Sequence, residues 1–263
     1  MKLDNQVAAI TGGTAGIGRA IAEAFLAEGA SVTLMARNHD KAAQVLLEID
    51  AGDRCAYIAG DATLQSDVER FVDGTVERFG KVDILVNNAG GAGELQPVAD
   101  LPDDAWDLVM KWNLYSTFWA SRRAVKPMIE RGWGRIINIS STEGKLGKPV
   151  LTAYSAAKHA VNGFTKSMAK EVAMSGVTVN AICPGLVITD IIRDNGPRTA
   201  EAMGMTFDEM VDLFAQESAI KRPNTVEEVA AVAVLLASEE GAGITGGTLS
   251  VDGGRHRTSA PSN

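Results

Sequence analysis

Tyr154 precedes Lys158 by four residues in the run Tyr154-Ser155-Ala156-Ala157-Lys158. On a helix that spacing brings a phenol and an ammonium onto one face. A phenol titrates near 10 in water, and a neighbouring cation lowers that value, so the pair suits proton exchange with an alcohol or carbonyl oxygen near neutral pH. A second chemical signal is the turn Thr11-Gly12-Gly13-Thr14-Ala15-Gly16-Ile17-Gly18. Glycines at Gly12, Gly16 and Gly18 permit a tight turn, close approach of backbone to a pyrophosphate and close packing of helix on strand. The following helix N-terminus favours an anion. With 27 glycines in the chain the pattern is weak alone; its place after an apolar strand and before an amphipathic helix gives it meaning.

In dinucleotide-binding folds the end of the second strand carries an acid for the adenosine 2′-hydroxyl or a base for the 2′-phosphate. Here the chain reads Leu34-Met35-Ala36-Arg37-Asn38. Alanine stands at the acid position, and Arg37 beside it offers a planar fork suited to phosphate. NADP(H) is therefore favoured, with NAD(H) also accepted if Arg37 makes only a surface ion pair.

The elements that must hold these groups alternate along the chain. Strands are expected at residues 7–10, 31–35, 55–58, 84–86, 135–139, 177–181 and 248–251, as short Val- and Ile-rich runs. Helices are expected at 17–28, 40–49, 65–79, 103–131, 152–174 and 226–237, from apolar residues three and four apart such as Ile21 and Phe25. Seven strands alternating with helices predict an α/β fold: a Rossmann-type, doubly wound parallel sheet with helices on both faces. Residues 1–254 read as one catalytic domain. An insertion at about 188–219, with Met203, Met205 and Met210, is expected to cover the site. Residues 255–263 read as a loose polar tail.

Composition narrows the function. A net charge of −8 argues against a nucleic-acid surface; Arg122, Arg123 and Lys126 read as a solvated helix face. No apolar run approaches the roughly 20 residues that cross a bilayer, and the N-terminal residues lack the pattern of a signal peptide, so a cytoplasmic enzyme is expected. Cys55 and Cys183 read as packing residues rather than a disulfide. His39, His159 and His256 share no ligand spacing, so no metal site is expected.

Taken with Asn87-Asn88-Ala89-Gly90, Asn113, Ser140-Ser141, Pro184-Gly185 and Val251-Asp252-Gly253-Gly254, the glycine turn and the Tyr154–Lys158 pair resemble, in order and spacing, the short-chain dehydrogenases/reductases over residues 3 to 254. The resemblance implies that Tyr154 protonates the substrate oxygen as hydride arrives, and that Lys158 lowers its pKa and bonds the nicotinamide ribose. It implies a substrate-orienting role for Ser141, a structural one for Ser140, and for Asn113 a water through which Lys158 is reprotonated. Thr14 and Ile17 would contact cofactor within the glycine turn, and Arg37 with Asn38 at the 2′-position. Asp61, with Ala62, would reach the adenine, Asn88, Ala89 and Gly90 the adenosine ribose, and Pro184, Gly185, Val187 and Thr189 the nicotinamide.

Residues 144–149 and the helix from Tyr154 to Thr165 look like 3-oxoacyl reductases and bacterial polyketide ketoreductases. The small-molecule substrate implied is a 3-oxoacyl compound or an aromatic or cyclic ketone, with an NAD-dependent secondary-alcohol or hydroxysteroid-type dehydrogenase as the alternative. The expected wall includes Gly91, Thr142, Glu143, Leu186 and Met205, mostly small or apolar; Glu143 and Lys148 read as solvated loop charges. A non-catalytic dinucleotide sensor would tolerate loss of Tyr154 or Lys158, and an extended-fold epimerase would bring a longer C-terminal substrate domain. The resemblance implies a homotetramer, or a dimer, with Ala153, Ala156, Ala157 and Ala160 small enough for close helix approach between subunits.

Overall fold

The computed structural model describes residues 1–255, apart from the side chains of Asn195 and Ala202. Its seven strands are β1 (Val7–Thr11), β2 (Ser31–Ala36), β3 (Cys55–Ala59), β4 (Ile84–Asn87), β5 (Gly134–Ile139), β6 (Val177–Pro184) and β7 (Thr248–Val251). All pairings are parallel, in the order β3-β2-β1-β4-β5-β6-β7. The helices are α1 (Gly16–Ala27), α2 (His39–Ile49), α3 (Gln65–Phe79), α4 (Asp103–Met110), α5 (Ser116–Arg131), α6 (Thr152–Val172), α7 (Asp190–Ala202), α8 (Phe207–Ala215) and α9 (Val226–Ala237).

Strand periodicity divides the core. Ala8, Ile10, Ile84, Val86, Ile137 and Ile139 face one layer with Ile21 and Phe25 of α1, Val45 of α2 and Val229 and Ala233 of α9. Ala9, Leu85 and Ile136 face the other, with Phe71 of α3, Ala124 and Met128 of α5 and Met168 of α6. Because both faces are covered, β1, β4 and β6 are buried along their full lengths; β1 and β4 read as apolar runs up to their last residues, while β6 buries Thr178 and Asn180 among its apolar residues. Each fully buried large apolar side chain contributes about 1.5–3 kcal/mol. The strand order reverses between β1 and β4, and in open parallel sheets ligands bind at the carboxyl ends of the strands at such a switch point.

Three local differences from the expected elements have physical causes. The single helix expected over 103–131 is interrupted by a π-helical turn at Lys111–Tyr115, where the Ser116 N–H donates to the Lys111 carbonyl five residues back. The Ser116 and Thr117 hydroxyls bond the Trp112 and Asn113 carbonyls at 2.6 and 2.8 Å. A turn with one extra residue preserves apolar periodicity on both sides, so the pattern did not reveal it. In the insertion, α7 runs through Asp194-Asn195-Gly196-Pro197; a Cβ at Gly196 would collide with the Phe207 ring, so glycine there admits α8. Met203 and Met205 lie in the turn between α7 and α8, and only Met210 of the three is buried within α8. Lastly, Ala153 and Ala157 are buried inside the chain with Val109, beside Trp106 and Tyr154. They are packed against α4 and not held for a second subunit, whereas Ala156 and Ala160 keep part of their surface.

Candidate active site

The candidate residues collect at the carboxyl edge of the sheet. The glycine turn follows β1, Arg37 follows β2, Asp61 and Ala62 follow β3, Asn88–Gly90 follow β4, Ser141 follows β5 and Gly185 follows β6. Gly12 and Gly16 take left-handed backbone (φ 65° and 49°), a conformation cheap only for glycine. A Cβ at Gly12 would lie 3.0–3.1 Å from Asn88 and Ala89, and one at Gly16 3.0–3.1 Å from Thr189, so both adjacent loops close directly on the turn. Helix α1 opens at Ala15 without a side-chain cap and without acid in its first turn, which leaves first-turn N–H groups and the positive dipole end for an anion. This turn fits a dinucleotide pyrophosphate. Thr14 is buried and Ile17 half-buried within it.

Asn88 shapes the turn: its Nδ2 donates to the Thr11 and Gly12 carbonyls, both at 3.0 Å, while the Thr11 hydroxyl accepts from the Asn88 and Ala89 amides. Arg37 is exposed, its guanidinium 6.0 Å from the Trp112 ring centroid, and Asn38 caps α2 by accepting from the Lys41 N–H. The Asp61 carboxylate accepts from the Thr63 N–H and hydroxyl, both at 2.8 Å, and Ala62 is buried. Pro184 ends β6; the Gly185 N–H donates to the Val251 carbonyl, and Val187 bridges Asn224. Thr189 stands over Gly16, which brings the loop after β6 onto the glycine turn.

Helix α6 carries Tyr154, half-buried, and Lys158, buried. The Lys158 ammonium lies 5.5 Å from the Tyr154 ring centroid and donates to the Ile139 carbonyl at 2.8 Å. Burial pushes Lys158 down to about 8. Burial also pushes Tyr154 up to about 12, opposed by the Ser141 hydroxyl and aided by the nearby Glu143 charge. The sequence expectation of a phenol depressed by Lys158 therefore runs the other way in the free chain, where desolvation is the dominant influence on the phenol. Asn113, in the π turn, bonds Gly91 through both ends of its carboxamide, at 3.2 and 2.9 Å, and the Val109 carbonyl at 2.9 Å. It thereby locks the loop after β4 beside Lys158; a Cβ at Gly90 would collide with the Asn113 carboxamide and lie 3.4 Å from the Lys158 ammonium.

The wall residues behave less uniformly. Gly91 lies against Trp112, Leu186 is half-buried and accepts from the Asn224 amide, and Met205 is half-buried in the α7–α8 turn. Thr142 is fully buried. Glu143 is no solvated loop charge: its side chain is 10% exposed, because the short 3₁₀ turn after Ser141 folds it inward onto Ser141 Oγ (2.7 Å) and Thr142 Oγ1 (3.0 Å). Lys148 pairs with Glu217 at 3.5 Å and sits 3.9 Å from the Phe214 ring centroid, which ties it to α8. Arg255, read from sequence as the start of a loose tail, pairs with Glu143 at 2.8 Å and Glu217 at 2.6 Å and donates to Thr142 at 3.0 Å. Residues 256–263 of that tail, His256 included, lie outside the described residues. Arg255 and Glu217 were missed because no periodicity marks their convergence; the one usable signal was a cation immediately after Val251-Asp252-Gly253-Gly254.

Among the described residues no cluster of His, Cys, Asp and Glu is arranged to hold a metal, and no helix is long and apolar enough to cross a membrane. Buried Cys183, beside Asn162, and half-buried Cys55 are free thiols.

A parallel sheet with a glycine turn at its switch point, a tyrosine and a lysine one helical turn apart, and a serine at the next strand end together define an enzyme class. The sequence pattern of the short chain dehydrogenases matches residues 6–199, and the chain belongs to that family. It is 39% identical to a D-beta-hydroxybutyrate dehydrogenase of Rhizobium meliloti (strain 1021), covering 95% of this chain and 98% of that protein. It is also 39% identical to 3beta-hydroxysteroid dehydrogenase 2 of Eggerthella lenta, covering 96% and 95%. The crystal structure of a variant of the actinorhodin polyketide ketoreductase with NADPH superposes with a TM-score of 0.91 at 37% identity, over 96% of this chain and 98% of that one. The protein is thus an NAD(P)-dependent oxidoreductase acting on hydroxyl and keto groups.

Proposed function

We propose that the protein interconverts a ketone and a secondary alcohol with preference for NADP(H), using Tyr154 as general acid and base. The observation that carries this reading is the convergence of Ser141, Tyr154 and Lys158 beside the glycine turn, with Asn113 fixing the loop between them. The reduced nicotinamide dinucleotide supplies the hydride when bound. Gly12, Thr14, Gly16, Ile17 and Gly18 hold its pyrophosphate, Arg37 and Asn38 the 2′-phosphate, and Asp61 with Ala62 the adenine end. Asn88, Ala89 and Gly90 flank the ribose, with Pro184, Gly185, Val187 and Thr189 along the nicotinamide. Tyr154 gives its proton to the substrate oxygen. Ser141, just beyond the end of β5, sets where that oxygen sits, and Lys158 supports the phenolate that results. A phenol at about 12 in the free chain is a held donor, and a cation arriving beside it lowers that value toward the working range.

Half-buried Leu186 and Met205, with Gly91 and the α8 face, suit an aromatic, cyclic or 3-oxoacyl ketone, supported by the fit to the polyketide ketoreductase. The hydroxybutyrate and hydroxysteroid relatives favour the second reading, an NAD-dependent secondary-alcohol dehydrogenase. Half-exposed Leu108, Tyr115 and Phe118 on α4, the π turn and α5 support self-association as a homotetramer or dimer. The deciding experiment is Tyr154→Phe. Turnover falls by about 10²–10⁴-fold while NADPH affinity, read by fluorescence titration, stays within a factor of about three; retained turnover overturns the assignment.

A further inference from the structure

The corner beside Ser141 holds a charge that the proton transfer just described does not use. Glu143 is buried two residues after Ser141, and its carboxylate accepts from three donors. The Ser141 and Thr142 hydroxyls bond Oε2 at 2.7 and 3.0 Å, and the Arg255 guanidinium bonds Oε1 at 2.8 Å. The Thr142 oxygen in turn accepts from Arg255 at 3.0 Å, and the Ser141 oxygen from the Glu143 N–H at 3.1 Å. Burial opposes ionisation of Glu143, but the Ser141 hydrogen bond, the Arg255 charge and the Thr142 hydrogen bond outweigh it and hold the carboxyl below its ordinary range. An ionised carboxylate only accepts, so the one proton of the Ser141 hydroxyl is committed to Glu143.

That commitment conflicts with the part Ser141 has in ketone binding. A carbonyl oxygen also only accepts, so a ketone seated on Ser141 must draw the proton away from Glu143. A buried carboxylate is then short of one hydrogen bond, a loss larger than the same loss at a neutral group. A substrate with a hydroxyl on the carbon next to its carbonyl resolves the conflict one bond for one. Ser141 Oγ and Glu143 Oε2 are 2.7 Å apart, so neighbouring oxygens of one small molecule can face them together. The carbonyl takes the Ser141 proton, and the hydroxyl gives its own to Glu143 in exchange.

We propose that Glu143 is a specificity-determining residue that selects ketones bearing a hydroxyl donor on the adjacent carbon, by accepting that hydroxyl in place of Ser141. The proposal rests on Ser141 being the residue that meets the substrate oxygen in the reading above. Arg255 sets the direction of the carboxylate. It occupies Oε1 and is itself held by Glu217 at 2.6 Å, so that Oε2 stays turned to Ser141. Gly91, Leu186 and Met205 bring no charge to the proposed wall, and Glu143 is the polar feature in it. The substrate class is a cyclic or aromatic ketone with an adjacent hydroxyl.

The test compares kcat/KM for reduction of α-hydroxycyclohexanone and α-methoxycyclohexanone by NADPH, in the parent protein and in Glu143→Gln. The methoxy group keeps an oxygen beside the carbonyl but has no proton to donate. The parent is expected to favour the hydroxy ketone by about 10- to 100-fold, the worth of a hydrogen bond to a buried charge. In Glu143→Gln the ratio falls to within a factor of about three, because an amide is a neutral acceptor and can donate to Ser141 Oγ, which frees the serine proton for either ketone. Mere weakening of the corner would slow both ketones alike and leave the ratio in place. A parent protein that reduces the methoxy ketone as well as the hydroxy ketone, or reduces neither, overturns the proposal, and so does a ratio that survives Glu143→Gln. Should that variant fail to fold, Glu143→Asp, which keeps the charge facing Arg255 and draws it back from Ser141, must lower the ratio; an undiminished ratio there overturns it equally. Turnover retained in Tyr154→Phe instead sinks the acid–base reading, whereas turnover lost in Tyr154→Phe with no preference in the parent sinks only the role of Glu143.

Discussion

The β1–β4 crevice and the α7–α8 segment are held together by different forces. Around the crevice the backbone is fixed by buried hydrogen bonds: Asn88 to the glycine turn, and Asn87 to Ser121 and Asn138 at 3.0 and 2.8 Å. Fully buried Ile10, Ile21, Ile84 and Phe25 lie beneath it. Helices α7 and α8 are largely exposed, with Met210 and Ala215 the buried residues of α8, and the segment is joined to the Ser141 corner through Arg255, Glu217 and Lys148. The dinucleotide varies across such a family only at the adenosine 2′-position, and a rigid, packed cradle can be built once for the rest of it. The substrate differs between relatives that act on hydroxybutyrate and on hydroxysteroids, and the half that would meet it is held by a few ion pairs that can be exchanged without disturbing the sheet.

The contrast can be broken by mutation. The largest effect is expected from Ile21→Ala, which opens a cavity under the crevice and should cost about 2–5 kcal/mol in denaturant unfolding. A loss below about 1 kcal/mol would mean the cradle is not the rigid half. Next, Arg37→Ala should raise the KM for NADPH by about 10- to 100-fold, the worth of a charge-assisted phosphate contact, and change the KM for NADH little; equal loss for both cofactors removes the phosphate assignment. The smallest effect in stability belongs to Phe214→Ala. It removes the ring under Lys148 and should cost less than about 1 kcal/mol in thermal unfolding while raising the KM for a ketone several-fold. If Phe214→Ala destabilises as much as Ile21→Ala, the two halves are not mechanically distinct.

The same division decides how much the sequence could disclose. Strands such as Val7–Thr11 announce themselves because burial on both faces demands an almost unbroken apolar run, and the glycine turn because two of its positions require φ above zero. Tyr154 and Lys158 share a helix, so their spacing alone places them together. Glu143 and Arg255 lie 112 positions apart, and nothing local distinguishes a buried glutamate from a solvated one until its partner is known. Pro197 illustrates the opposite failure. A proline usually ends a helix, yet α7 runs on through Pro197, with the Phe207 ring packed on the neighbouring Gly196.

Counted as an insertion, the π turn at Lys111–Tyr115 is a single residue. Each residue turns a helix by about 100°, so deleting one there would swing α4 to another face relative to α5. Val109 and Trp106 would leave Ala153 and Ala157 on the Tyr154 helix, and Asn113 would no longer reach Gly91. A gap of one residue in this stretch thus separates chains that keep this arrangement from chains that have abandoned it, even where every letter around the gap is similar in kind.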